Sequence, residues 1–245
     1  MARRRAARRQ PAPRLRGARR PTARLADRHR QRLHRHDHLQ RWASTALSRV
    51  TSARLEAFSD GVFAVAITLL ALDLAVAGPG HGSLAHQLAD HWPSFVAYVV
   101  SFFVVGITWV NHHALVDTFV KVDRKLLFLN LVLLLFVVAI PFATSTMATY
   151  LRGGGDDAHL ATALYGVVLE GMGVSFAAIF VWSLRRGRRA VPLPEDAVRT
   201  AVLRFGVGSI AYLVAIGVAF LSAPVSLAII AGLAVYYMFE QTPAT

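Results

Sequence analysis

Arg54, Ser59 and Asp60 open an otherwise apolar stretch of the chain, and His112-His113 and Glu170 lie within two others. Ionisable groups at membrane depth are costly, so they usually mark a function or an internal polar network. Three chemistries are open to such a set: a proton relay, coordination of an ion, or hydrogen bonding that pins helices together. An Asp60 without a partner would be expensive; its candidate partners are Trp109, His112, His113 and Asn130. Buried polar groups normally satisfy one another, so the expected role is a structural network joining three helices rather than direct ion coordination. No metal or cofactor site is expected. Adjacent histidines on a helix point about 100° apart and cannot chelate one ion together. The chain has no cysteine, which excludes disulfides and thiolate ligands. With no paired catalytic carboxylates and no nucleophile motif, an enzyme is not expected.

The elements that must position these residues are membrane-length helices. Of 245 residues, 55% are hydrophobic, more than a soluble domain of this length usually carries. Apolar stretches of roughly 20 residues, enough to cross a bilayer, recur at 56–76, 92–112, 126–148, 160–184, 200–221 and 223–239. The expected fold is therefore all-α, a six-transmembrane-helix bundle over residues 51–240. Ser222-Ala223-Pro224 is a tight re-entry between the last two spans, and Pro141 should kink the third.

Charge sets the expected orientation. The links after the second and fourth spans carry Lys121, Arg124, Lys125 and then Arg185, Arg186, Arg188, Arg189, Arg199. The link after the first span has no Lys or Arg, and the link after the third has only Arg152 beside Asp156 and Asp157. This alternation predicts a multi-pass protein of the cell membrane with both termini cytoplasmic. Residues 1–50 hold 16 arginines against Asp27 and Asp37, whereas the remainder holds 11 basic and 12 acidic residues. Such an arm cannot bury apolar surface and reads as a disordered cytoplasmic segment. Anionic lipid head groups are its expected partner, with a start-site artefact as the alternative and no specific nucleic acid expected. It is not a secretory signal, since no apolar stretch follows the arginines until residue 56.

At about 100° per residue, Val65, Thr68, Leu69 and Leu72 share one narrow arc of the first helix, and Gly61 extends it. Asp60 lies roughly opposite. If the arc faces a central axis, Asp60 faces back into its own subunit.

Arg54, Phe58, Ser59 and Asp60 form an Arg, three-residue gap, Phe-Ser-Asp pattern. It resembles the signature in the first helix of the transmembrane protein 175 family of potassium channels. Trp92, Ser94-Phe95 and Trp109-Val110-Asn111-His112-His113, then Asn130-Leu131 and Ile140-Pro141-Phe142, are also similar to that family. The resemblance is strong over 51–150 and loose over 160–239. It implies a potassium-permeable channel, tetrameric, with the first helix of each subunit lining the pore. No Thr-Val-Gly-Tyr-Gly carbonyl filter occurs in the chain. By position, Val65 would form the narrowest ring, with Leu69 and Leu72 stacked outward and Thr68 adding a hydroxyl ring. Asp73 would form an acidic ring at the outer mouth, or simply a carboxylate in water at a helix end.

The rival reading is a proton-coupled transporter of a small solute or ion, in which His, Asp and Glu170 relay protons. Against it, the ionisable residues cluster at helix ends and no inverted repeat is visible.

Overall fold

The computed structural model describes residues 52–74 and 78–239, with the side chain of Asp73 left out. The basic arm of residues 1–50 therefore lies outside the described residues. Among the described residues the regular elements are all helices, with one isolated bridge between Phe119 and Arg189 in the loops. The first helix, α1, runs over 52–70 and tightens into a 3-10 turn at Ala71–Asp73. Then come α2 (Leu84–Asp90), α3 (Trp92–Asp117), α4 (Arg124–Leu151), α5 (Gly155–Ser183), α6 (Glu195–Ala219) and α7 (Ala223–Phe239).

Four of these, α3 to α6, are long and apolar enough to cross a membrane. Helix α7 is equally apolar but has 17 residues, about 25 Å at 1.5 Å per residue. Most helices exceed the apolar stretches that predicted them, because polar capping turns continue the helix past the apolar core. Asp123 caps α4 by accepting from the Leu126 amide at 2.9 Å, and Glu195 and Asp196 occupy the first turn of α6, where the helix dipole favours acids. Helix α4 runs through Pro141 without interruption.

Close packing comes from small residues. A Cβ at Gly171 of α5 would overlap the ring of Phe136 on α4, and one at Gly208 of α6 would overlap the hydroxyl of Tyr237 on α7. Small side chains let helix backbones approach where lipid supplies no hydrophobic drive between them. A hydroxyl chain fixes the middle of the bundle. Tyr165 and Ser101 are 2.8 Å apart, as are Ser101 and Thr144. Thr144 donates to the Ile140 carbonyl, which leaves Ser101 to donate to Thr144 and Tyr165 to donate to Ser101.

The links sort into two groups. The two basic links meet: the Val120 amide donates to Arg188 O at 2.8 Å, and that of Ala190 to Thr118 O at 2.9 Å. Arg188 also pairs with Asp123 at 2.5 Å and lies over the Trp182 ring, 4.6 Å from its centroid. The two non-basic links meet through Arg152, which donates to the Asp90 carbonyl at 2.9 Å. Helix α2 was not expected. Its buried Gln87 organises the turn before it, accepting from the Gly78 amide and donating to the carbonyls of Gly78 and Gly82.

Candidate functional site

Helix α1 has two faces. Leu55, Ser59, Phe63, Ala66 and Leu70 are buried, at spacings of four and three that trace one stripe of a helix. On the other side Gly61, Ala64, Val65, Thr68, Leu69 and Leu72 are exposed, with Val65 at 55%, Leu69 at 39% and Leu72 at 72% of full accessibility. The arc singled out by geometry is thus uncovered in the single chain. Thr68 turns its hydroxyl to the Val65 carbonyl at 2.8 Å, so its oxygen remains free to accept from outside the helix.

The buried stripe carries the polar anchor. Ser59, fully buried, donates to the Leu55 carbonyl at 2.9 Å. Its oxygen accepts from Asn130 Nδ2 at 3.0 Å. Asn130 Oδ1 then accepts from His112 Nε2 at 2.8 Å, which fixes the His112 tautomer with its proton on Nε2. The His112 ring sits 5.6 Å from that of Phe63. One continuous run of hydrogen bonds therefore ties α1 to α4 and α4 to α3. A second set of contacts joins α1 to α3 alone. Trp109 Nε1 donates to Asp60 Oδ1 at 2.8 Å, and His113 Nδ1 is 2.7 Å from Glu56 Oε1.

The structure brings together Ser59, Asn130 and His112, and separately Asp60 with Trp109 and Glu56 with His113. It does not bring in Arg54 or Phe58, both exposed; Arg54 pairs with no other described residue. Glu56 was missed. Its four-residue offset from Asp60, which puts the two on one helix face, was the signal that could have found it. Glu170 is engaged inside the bundle, accepting a short hydrogen bond from Ser209 of α6. The side chain of Asp73 is outside the described set.

This geometry has counterparts. The family model for the endosomal/lysosomal potassium channel TMEM175 matches residues 54–141, from Arg54 through Pro141. A potassium channel of Streptomyces collinus is 47% identical over 194 residues, covering 78% of this chain and 94% of that one. The chain belongs to the TMEM175 family. A potassium channel of Chamaesiphon minutus is 33% identical over 199 residues, covering 78% of this chain and 95% of that protein. The fold matches the crystal structure of a lysosomal potassium-selective channel TMEM175 homologue from Chamaesiphon minutus. The TM-score is 0.68 at 30% identity, over 77% of this chain and 97% of that one. The TMEM175 family is one of membrane ion channels, not of enzymes.

Proposed function

We propose that this protein conducts potassium through a pore lined by α1, with an apolar constriction in place of a carbonyl filter. The observation that carries the reading is the uncovered arc of Val65, Thr68, Leu69 and Leu72, opposite a stripe held by Ser59, Asn130 and His112. A single chain leaves that arc open. Four copies around an axis would close it, with α1 and α3 to α7 as six spans per subunit. Val65 forms the narrowest ring, Leu69 and Leu72 stack beyond it, and Thr68 supplies hydroxyls beside them.

Four apolar side chains cannot replace an ion's hydration shell, so a tight ring blocks by dewetting. Small tilts of α1 widen it for a partly hydrated cation. The buried network gives those tilts a fixed pivot: Ser59 cannot leave Asn130 without stranding a buried donor. The two basic links face the cytoplasm, which puts both termini there and the protein in the cell membrane. The arm of residues 1–50 touches anionic head groups of the same leaflet.

Purified protein in planar bilayers, with potassium on one side and sodium on the other, tests this. Single-channel steps reversing towards the potassium potential are expected. Flux without resolvable steps, abolished by removing a proton gradient, would overturn the pore and make the protein a proton-coupled transporter.

A further inference from the structure

Glu56 and Asp60 stand one helical turn apart on α1, and His113 reaches them from α3. One ligand-capable atom from each lies within 4.8 Å of the other two. We propose that Glu56, Asp60 and His113 form a binding site for a first-row transition dication, Zn²⁺ or Co²⁺, which bridges α1 and α3.

The donor set argues for the class of ion. One imidazole nitrogen and two carboxylate oxygens suit borderline ions such as Zn²⁺ and Co²⁺. Mg²⁺ and Ca²⁺ take oxygen ligands only and in greater number. Charge points the same way. Two carboxylates held this close repel one another, and a dication removes that repulsion, which a single hydrogen bond from His113 does not. Side chains of facing helices that converge on one point are also how bundles build metal centres.

The surroundings are those of a supported site. Trp109 Nε1 holds Asp60 Oδ1 at 2.8 Å and leaves the second carboxylate oxygen without a described partner. Outer-shell donors of this kind orient the ligating group. The Trp109 ring lies 6.0 Å from that of His113 and backs the imidazole. His113 is half exposed, so an ion has a route in and water can complete the coordination. The 2.7 Å between His113 Nδ1 and Glu56 Oε1 must open by about 0.7 Å for both to reach a tetrahedral ion at about 2.0–2.2 Å. A rotation of the Glu56 side chain supplies that.

Other groupings offer less. His86 and Asp90 provide two exposed ligands, Asp123 already holds a guanidinium, and Glu170 is a lone carboxylate bonded to Ser209.

The test is Co²⁺ titration of the full chain in detergent, followed by visible absorption and competed with Zn²⁺, so that it involves no measurement of flux. His34, His36 and His38 of the arm are replaced by Gln throughout, to remove a competing histidine cluster. One Co²⁺ per chain is expected, displaced by Zn²⁺ and weakened at least about tenfold by His113→Gln and by Glu56→Gln. Without metal both variants should lower the parent's unfolding midpoint only slightly and by the same amount, since each removes the same part-exposed His113–Glu56 contact, and both should lose its rise with Zn²⁺. His113→Cys gives a readout that a purely structural role would not move. In a chain with no other cysteine, a thiolate-to-cobalt absorption band appears only if position 113 ligates. No Co²⁺ signal in the parent, unchanged affinity in both Gln variants, or no thiolate band in His113→Cys would each overturn the site.

Discussion

On one side of α1, Leu55, Ser59, Phe63, Ala66 and Leu70 are sealed against α3 and α4, and Ser59 is hydrogen-bonded at both donor and acceptor. On the other side, Val65, Thr68, Leu69 and Leu72 are equally apolar in character yet exposed. Hydrophobicity does not distinguish the two faces. Polar anchoring does: the hidden face contains a serine whose partners are both internal, and the open face has only a threonine that bonds back to its own helix. In lipid, apolar side chains are indifferent to being covered, so a single buried hydroxyl orients the helix where the seven apolar residues of its two faces could not.

Four changes would break or sharpen that contrast. The largest effect is expected from Phe63→Ala on the sealed face. It should cost about 3 kcal/mol, the low end for a buried Phe, since a membrane supplies little transfer term. Unfolding in detergent should show the loss, and Val65→Ala on the open face should show almost none. Equal losses at the two positions would abolish the distinction. Next, Asn130→Leu leaves the His112 Nε2–H and the Ser59 oxygen without their partner. A loss of about 1–3 kcal/mol follows from stranding buried polar groups, with unfolding midpoint as the readout.

Val65→Asn works on the open face. In the proposed pore a polar ring at this position would hydrate the neck, so conductance or leak should rise on the order of tenfold, about 1.4 kcal/mol of barrier, with the unfolding midpoint unmoved. Unchanged currents would remove Val65 from the constriction. The smallest effect lies outside the spans. The Leu126 amide that Asp123 caps, and then the Arg188 guanidinium, hold the Asp123 carboxyl below its usual range. A depressed carboxylate stabilises above its unfolded pKa of about 3.9 and loses that stabilisation as pH falls through its folded value. Asp123→Asn should therefore unfold slightly earlier at pH 7, by under about 1 kcal/mol for a part-exposed pair. It should match the parent in acid; a difference that persists below pH 3 would exclude the charge as its cause.

Much of this was legible in the chain. Long apolar runs required helices, and the Arg54, Phe58, Ser59, Asp60 pattern with its companions in α3 and α4 pointed to the family. Trp109, His112, His113 and Asn130 stand in the sequence as one set of candidate partners for Asp60. The sequence left their pairing open, because it offered four partners for one carboxylate. Asp60 took Trp109, while His112 and Asn130 closed on Ser59 instead. Glu56 went unassigned for the same reason: a glutamate near a helix end ordinarily faces water, and only the approach of α3 gives it His113. Helix α2 and the joining of the two basic links by Phe119 and Arg189 were likewise not legible, since Gln87 and Arg188 act through backbone groups that carry no sequence signal.

The sequence by itself determined the helical class, the apolar lengths, the placement of basic links and the family. These follow from composition and from periods of 3.6 residues, which are local properties of a chain in lipid. Only the tertiary structure decided which face of α1 is sealed, which histidine serves the buried serine and which meets the carboxylates. Those choices depend on distances of about 3 Å between residues up to 71 positions apart, and hydrogen bonds of that kind are specified by how helices pack, not by the residues taken one helix at a time.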